Sequence, residues 1–330
     1  INGKFIISLD FELLWGMRDK KNIANYGENI SGVHQVIPRL LKICRQYNVK
    51  GTYSIVGFLF FENKIDLMSN LPNLKPLYKD VNLSPYNGYF DTIEGVSDNV
   101  YHFAPLLIKE IQNHPENEIG THTFSHYYCL EKGQTIQAFR NDLQSAINVA
   151  KKQNLELTSL IFPRNQFNKD YLDVCSELGI ICYRCNENSW LYRAKNAEEE
   201  SLLRRFFRIA DAYFNISGHN CYSDRFLKDN TPVNIPSSRF LRPYSRRLKF
   251  LEGLRLRRIK TGMSYAAKNN LTYHLWWHPH NFGINQNENF LFLEKILQHY
   301  EYLNKKYSFK SYTMTELTKE LINNNNEAGV

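Results

Sequence analysis

Short apolar runs suited to β-strands recur along the chain, and longer stretches of helical period separate most of them. The runs fall near residues 4–9, 51–55, 118–121, 157–162, 179–184, 271–277 and 308–311. Between the first two, Val33, Val36, Ile37, Leu40, Leu41 and Cys44 repeat at helical spacing across Gly32–Tyr47. Phe103–Ile111, Ile136–Ala150, Tyr171–Leu178 and Asn289–Tyr300 read the same way. Such alternation argues for parallel pairing, because each helix carries the chain back across the sheet before the next strand begins. A parallel sheet or barrel presents its site at the carboxyl ends of its strands. With 330 residues and 43% hydrophobic content, the chain suffices for one such core and is not a mainly disordered polymer.

Polar side chains gather where three of these runs end. Asp10 and Glu12 follow Phe5-Ile6-Ile7, and residues two apart in a strand share a face, so both acids reach one place while Phe11 points away. His122 and His126 follow the run that ends near Ile119, and their spacing suits one face of a helical turn. His274, His278, His280 and Asn281 close the run near 271–277. Zn²⁺ accepts imidazole nitrogen and carboxylate oxygen, and catalytic sites use three protein ligands with a fourth position for water. Among Asp10, Glu12, His122 and His126, three could hold an ion and the remaining carboxylate could act as a base.

The motifs themselves carry a resemblance. Ser8-Leu9-Asp10-Phe11-Glu12, Gly120-Thr121-His122-Thr123-Phe124-Ser125-His126, Phe162-Pro163-Arg164-Asn165-Gln166 and His278-Pro279 resemble, in this order, the successive motifs of polysaccharide deacetylases with the NodB homology domain. The resemblance runs from about Lys4 to about Phe282 and is greatest for the branch encoded with bacterial surface-polysaccharide genes, lipopolysaccharide included. It implies a distorted (β/α) barrel of about seven parallel strands. It also implies a hydrolase that removes an acetyl group from an N-acetylated sugar intermediate on a nucleotide or lipid diphosphate carrier. Its zinc-like divalent ion would be held by Glu12, His122 and His126. Asp10, at the family's first aspartate, would be the base, and His278 the acid for the departing amine. Arg164 would keep Asp10 ionised, although here it follows Pro163 where the family motif places its arginine before the proline. Trp15, Asn165 and His280 are expected to touch substrate, with His280 also a reserve acid, and a backbone N–H near Pro163–Asn165 would meet the acyl oxygen. The alternatives are a metal-independent amidase or cyclic-amide hydrolase on the same fold, or a non-catalytic carbohydrate-binding protein.

Two regions break the alternation. Leu71–Gly95 is rich in Pro, Gly and aromatics and reads as an ordered loop over the barrel mouth. The second is an insertion near 204–260 in an otherwise single domain spanning 1–322. Between Arg239 and Lys260 it holds nine Lys or Arg against one acid, Glu252, and contributes much of the net charge of +8. Leu248, Leu251, Leu254 and Ile259 could form an apolar stripe with Arg247, Lys249, Arg255, Arg257 and Arg258 outside it, suited to an anionic membrane surface or a substrate diphosphate. No nucleic-acid module accompanies the charge, so nucleic acid is not an expected partner. The six cysteines are irregularly spaced and are expected as reduced thiols, Cys182-Tyr-Arg-Cys185 included. No run of eighteen apolar residues occurs and no leader pattern precedes the first strand, so a cytoplasmic protein is expected, peripheral at most to the membrane's inner face. Residues 323–330, with four consecutive asparagines, read as a disordered tail.

Overall fold

The computed structural model describes residues 2–192, 202–227 and 231–328. Residues 228–230 of the expected insertion and 329–330 of the expected tail lie outside the described residues. The strands are β1 (Lys4–Phe11), β2 (Gly51–Ile55), β3 (Glu118–Thr121), β4 (Ser159–Ile161), β5 (Cys182–Arg184), β6 (Val233–Asn234), β7 (Arg239–Phe240), β8 (Thr272–Trp277) and β9 (Lys310–Tyr312). Eight lie side by side in the order β6-β5-β4-β3-β2-β1-β8-β7, and every pairing is parallel. β9 pairs with Lys4–Ile6 of β1, below the Ile7–Phe11 stretch that pairs with β2.

The result is a parallel sheet curled into a distorted (β/α) barrel, the fold that the motif resemblance implies, with the parallel pairing expected from the alternation. β6 and β7 went unforeseen because two residues each are too short for a period. They matter nonetheless. The linker between them closes most of the gap in the wall: Ser237 N–H donates to Cys185 O on one side and Ser238 N–H to His274 O on the other, at 3.0 and 2.8 Å.

Strand alternation sorts the core. Phe5, Ile7, Leu9 and Phe11 of β1 join the large apolar cluster between sheet and helices, which includes Val33, Val36, Ile37, Leu40 and Leu41 of the helix Val33–Gln46. Ile6 faces the other way, into a second cluster with Ile161, Cys182, Val233, Ile235, Met314, Leu317 and Leu321. The helix Met314–Ala328 thus plugs the amino end of the barrel, and this anchoring carries it through Asn323–Asn326, where a disordered tail was expected. Above Ile6, the interior turns polar: Ser8 Oγ meets Arg184 Nη1 and His274 Nε2 at 2.8 Å each, and Asp10 and Glu12 follow.

The basic segment does not form the expected stripe. Arg246–Leu251 is a 3-10 turn and Glu252–Lys268 a helix whose Arg255 and Arg258 face inward, only 2% and 5% exposed, while Leu254 is 37% exposed. Arg255 lies 3.7 Å above the Phe292 ring and pairs with Glu252. Arg258 and the buried Arg239 of β7 converge on Asp211, at the end of the helix Leu202–Asp211. Three of the nine basic residues read as a surface, Arg239, Arg255 and Arg258, therefore fasten this segment to the rest of the fold. Arg246, Arg247, Lys249 and Arg257 stay exposed, beside an exposed Phe250. Among the described residues, no helix is long and apolar enough to cross a membrane.

Candidate metal centre at the barrel mouth

Glu12 sits one residue past β1, 3% exposed, at the start of the 3-10 turn Leu13–Gly16. A Cβ at Gly16 would lie 2.2 Å from its carboxylate oxygens, so only glycine leaves room for Glu12 here. His122 and His126 reach Glu12 from the segment after β3. That segment is not the helical turn their spacing suggested, because Thr123 and His126 have φ of 64° and 60°. Outside the mouth, the non-glycine residues in this left-handed region are, among the described residues, asparagines and Ser308. At the mouth they include Leu13, Thr123, His126 and Arg164, types that rarely adopt it and that only a constraining site holds there.

The constraint on the histidine loop is Asp142, fully buried in the helix Ile136–Lys151. Its Oδ1 accepts Phe124 N–H at 2.7 Å, its Oδ2 accepts Ser125 N–H at 3.1 Å, and Ser125 Oγ donates to it as well. Burial raises this carboxyl to about 6, with the three hydrogen bonds opposing the shift. Asp142→Ala should leave two buried amides unpaired, costing roughly 1–3 kcal/mol each, and let His122 and His126 drift. The expected result is weaker metal retention on dialysis with the helical circular-dichroism signal kept.

The proton positions decide what these groups can hold. His122 Nδ1 donates to Ile161 O at 2.8 Å, which leaves a lone pair on Nε2. That Nε2 has no hydrogen-bond partner and faces Glu12 Oε2 at 3.4 Å, while His126 Nε2 lies 3.0 Å from the same oxygen. A lone pair turned toward a buried carboxylate is repulsive unless a cation lies between them. Glu12, His122 and His126 thus form a group of suitable ligand atoms. Burial lowers His126 to about 4 despite the opposing charge of Glu12, so at neutral pH it too has a lone pair to offer. For Glu12, burial pushes the carboxyl up, but the charge of His278 and the closeness of His122, His126 and His280 take it well below the usual range.

Asp10 lies beside this group, and its arginine is not the expected one. Arg184, at the end of β5, meets Asp10 in a two-pronged pair, Nη1–Oδ1 and Nη2–Oδ2 both at 2.8 Å. Arg164 instead pairs with Asp19 and lies 4.3 Å from the Tyr128 ring, which separates it from His126. The reversed Pro163-Arg164 order explains this: the residue after the proline turns left-handed and throws its side chain outward. Burial pushes the Asp10 carboxyl up, but the Arg184 guanidinium, aided by the His122 and His278 charges, brings it below its ordinary value. Arg184 was legible as a lone charge ending the apolar run Ile180-Ile181-Cys182-Tyr183, a strand end like those carrying the other site residues.

His278 Nε2 lies 3.7 Å from both Asp10 Oδ2 and Glu12 Oε1, and its side chain is 23% exposed, open to the mouth. The side chain accepts Asn281 N–H, so with Nε2 toward the acids the accepting nitrogen is Nδ1 and the proton resides on Nε2. His280 is not a reserve acid at the mouth. It is 2% exposed, behind Glu12, with Nε2 3.1 Å from Glu12 Oε1. Trp15 cannot stack on a sugar ring, being fully buried among Phe58, Tyr89 and His102 with its indole N–H on His102 O. Asn165 does stay near the site. Its Oδ1 accepts from Arg184 at 3.1 Å, and it lines a cavity of about 370 Å³ with Glu187, Asn234, Phe167 and Phe226. The amides of Asn165 and Gln166 are committed to Phe162 O and Pro163 O, so neither is free for an acyl oxygen.

The sequence profile described as polysaccharide deacetylase matches residues 27–183, a stretch holding His122, His126 and the Phe162–Gln166 motif. Over that stretch, just under half of the chain, the protein is similar to the polysaccharide deacetylase family. Members of that family are hydrolases of the amide bonds of N-acetylated sugars, generally with a divalent metal. Asp10, Glu12, Arg184 and His278 fall outside the matched stretch and join it through the barrel. A candidate polysaccharide deacetylase from Mycobacterium smegmatis superimposes with a TM-score of 0.61 at 12% identity, covering 98% of this chain and 91% of that one. One from Pseudomonas aeruginosa gives 0.55 at 10% identity, covering 96% and 89%. At these identities the likeness is one of fold. No curated protein matches the chain.

Proposed function

We propose that this protein is a metal-dependent deacetylase that removes the acetyl group from an N-acetylated sugar carried on a nucleotide or lipid diphosphate, in the assembly of a bacterial surface polysaccharide. The observation that carries the metal dependence is the unpartnered His122 Nε2 turned toward Glu12 Oε2. An ion held by Glu12, His122 and His126, most simply Zn²⁺, would supply Lewis acidity toward the acyl oxygen and lower the pKa of a bound water. Asp10, kept ionised by Arg184, takes the proton of the attacking water. His278 presents its Nε2–H to the same space, 3.7 Å from Asp10, and delivers a proton to the departing amine. The products are an amino sugar and acetate, and Asn165 with its neighbouring cavity receives the sugar.

The rim supports a charged carrier. Arg164 stands one aromatic ring away from His126, and the charges of Lys20 and Arg205 act on the same patch. The exposed Arg246, Arg247 and Lys249 around Phe250 suit contact with an anionic membrane at its cytoplasmic face. Elemental analysis of the purified protein tests the central claim. About one zinc-like ion per chain is expected, lost in Glu12→Ala and His126→Ala, with acetate released from nucleotide-linked or polyprenyl-linked N-acetyl sugars by the wild type alone. A wild type that takes up no metal even after reconstitution would instead favour the metal-independent amidase.

A further inference from the structure

Glu12 is ringed by four histidines, and by distance alone it belongs to two possible metal groups: one with His122 and His126, the other with His278 and His280. The hydrogen-bond partners of the rings separate the two. His280 Nδ1 lies 2.9 Å from the Tyr26 hydroxyl and 3.5 Å from the Asn281 amide nitrogen. Burial and the Glu12 charge push the Tyr26 phenol up to about 12, so it keeps its proton and donates. Two donors on Nδ1 require a lone pair there, which puts the ring proton on Nε2, facing Glu12 Oε1 at 3.1 Å. This is the opposite tautomer to His122, whose Nδ1 donates to a carbonyl. His278, with Nδ1 accepting Asn281 N–H, is set the same way as His280.

Resting on the metal-dependent reading above, we propose that Tyr26 and His280 are positioning residues: they hold Glu12 Oε1 by a donated hydrogen bond, so that Oε2 alone faces the ion and the Glu12–His278–His280 group is not a second metal site. The scaffold behind them is rigid. The helix Ile23–Ser31 carries Tyr26, and its Asn29 side chain donates to His280 O at 3.3 Å. Backbone approaches so closely between Asn29 and Gly283 that a Cβ at Gly283 would lie 1.9 Å from Asn29 O. A glutamate is longer than an aspartate by one methylene, and unrestrained it could turn either oxygen, or both, toward an ion. The Tyr26–His280 pair removes that freedom, as hydrogen-bonded partners behind a ligating carboxylate do in general.

The test uses the full chain loaded with Co²⁺ or Zn²⁺, titrated against a competing chelator. One ion per chain is expected. His280→Ala should bind it about 10–100-fold more weakly, the usual effect of losing such a partner. Tyr26→Phe, which keeps the ring, should weaken it in the same direction by less. His280→Gln, whose amide can donate to Oε1 without Tyr26, should restore most of the affinity. In that background Tyr26→Phe should then have no further effect. The Co²⁺ absorption bands should shift in His280→Ala as Glu12 regains two-oxygen contact, a change that a purely structural role would not give. Two ions in the wild type, with one lost in His280→Ala, would make His280 a ligand and overturn the proposal. So would unchanged affinity in both His280→Ala and Tyr26→Phe. A wild type that binds no ion would remove the metal-dependent reading and this one together.

Discussion

Asp10→Asn should leave the protein folded and metal-loaded while lowering the rate of deacetylation by about 10²–10⁴-fold, the usual worth of a positioned base. The amide keeps the size of the carboxylate and can still accept from Arg184 through its oxygen, but it cannot take a proton. The companion substitution is Arg184→Met. Asp10 is 3% exposed, and without the guanidinium its burial is no longer offset, so its pKa rises. Asp10 serves as a base only when ionised, so activity exists above its pKa and disappears as pH falls through it. In the wild type that loss comes below the ordinary carboxylate range; in Arg184→Met it should move to higher pH. Arg164→Met should leave this acid limb where it is. A pH–rate profile of the three variants checks the assignment, and an acid limb that moves with Arg164 and not with Arg184 would reverse it.

Asp211→Ala should destabilise the fold by about 3–5 kcal/mol, the range for removing one partner from a buried charge pair. Asp211 is fully buried and receives Arg239, Tyr192 at 2.7 Å, Ser217 Oγ at 2.7 Å and the backbone of Ile216 and Ser217 at 3.0 and 2.8 Å, with Arg258 at 3.5 Å. Its loss strands two buried guanidinium groups, those of Arg239 and Arg258. The same cluster sets a pH dependence. Burial pushes the carboxyl up, but Arg239 above all takes it well below its ordinary 3.8. A carboxyl depressed in the folded state stabilises above its unfolded pKa, and that contribution is lost as pH falls below about 3.8 toward the native value. Urea titrations at neutral pH and below 3.8 should therefore show the gap between wild type and Asp211→Ala narrowing on acidification. A gap independent of pH would mean that packing, rather than charge, makes this contact.

Much of the site was written locally. Asp10 and Glu12 share a side because strand residues two apart must. The His122–His126 pair, the His278–His280 cluster and most strands could be read from short windows, and these side chains do gather around Glu12, with His280 behind it rather than at the mouth. The misreadings share a cause. Arg164 was placed on Asp10 by its position in a motif, yet a left-handed backbone turns it to Asp19, and Arg184, read only as the end of a strand, takes the role. Trp15 follows the site by three residues but folds away from it, into an aromatic cluster with the 71–95 loop. Arg239, Arg255 and Arg258 looked like surface charge because their partners lie elsewhere in the chain or, for Arg255, on an inward-turned helix face.

Local patterns in the sequence carry the parallel strand order and the inventory of the mouth: alternating strand and helix periods require parallel crossovers, and polar residues past the strand ends must gather at one end. Packing in three dimensions sets the division of labour among like residues. Which arginine meets Asp10, which histidines offer a lone pair and which a proton, depends on Ile161 O, Tyr26 O–H and Asn281 N–H. A proton's place on an imidazole is set by the nearest donor or acceptor in space, and for His122 and His280 the deciding partners are 39 and 254 residues away along the chain.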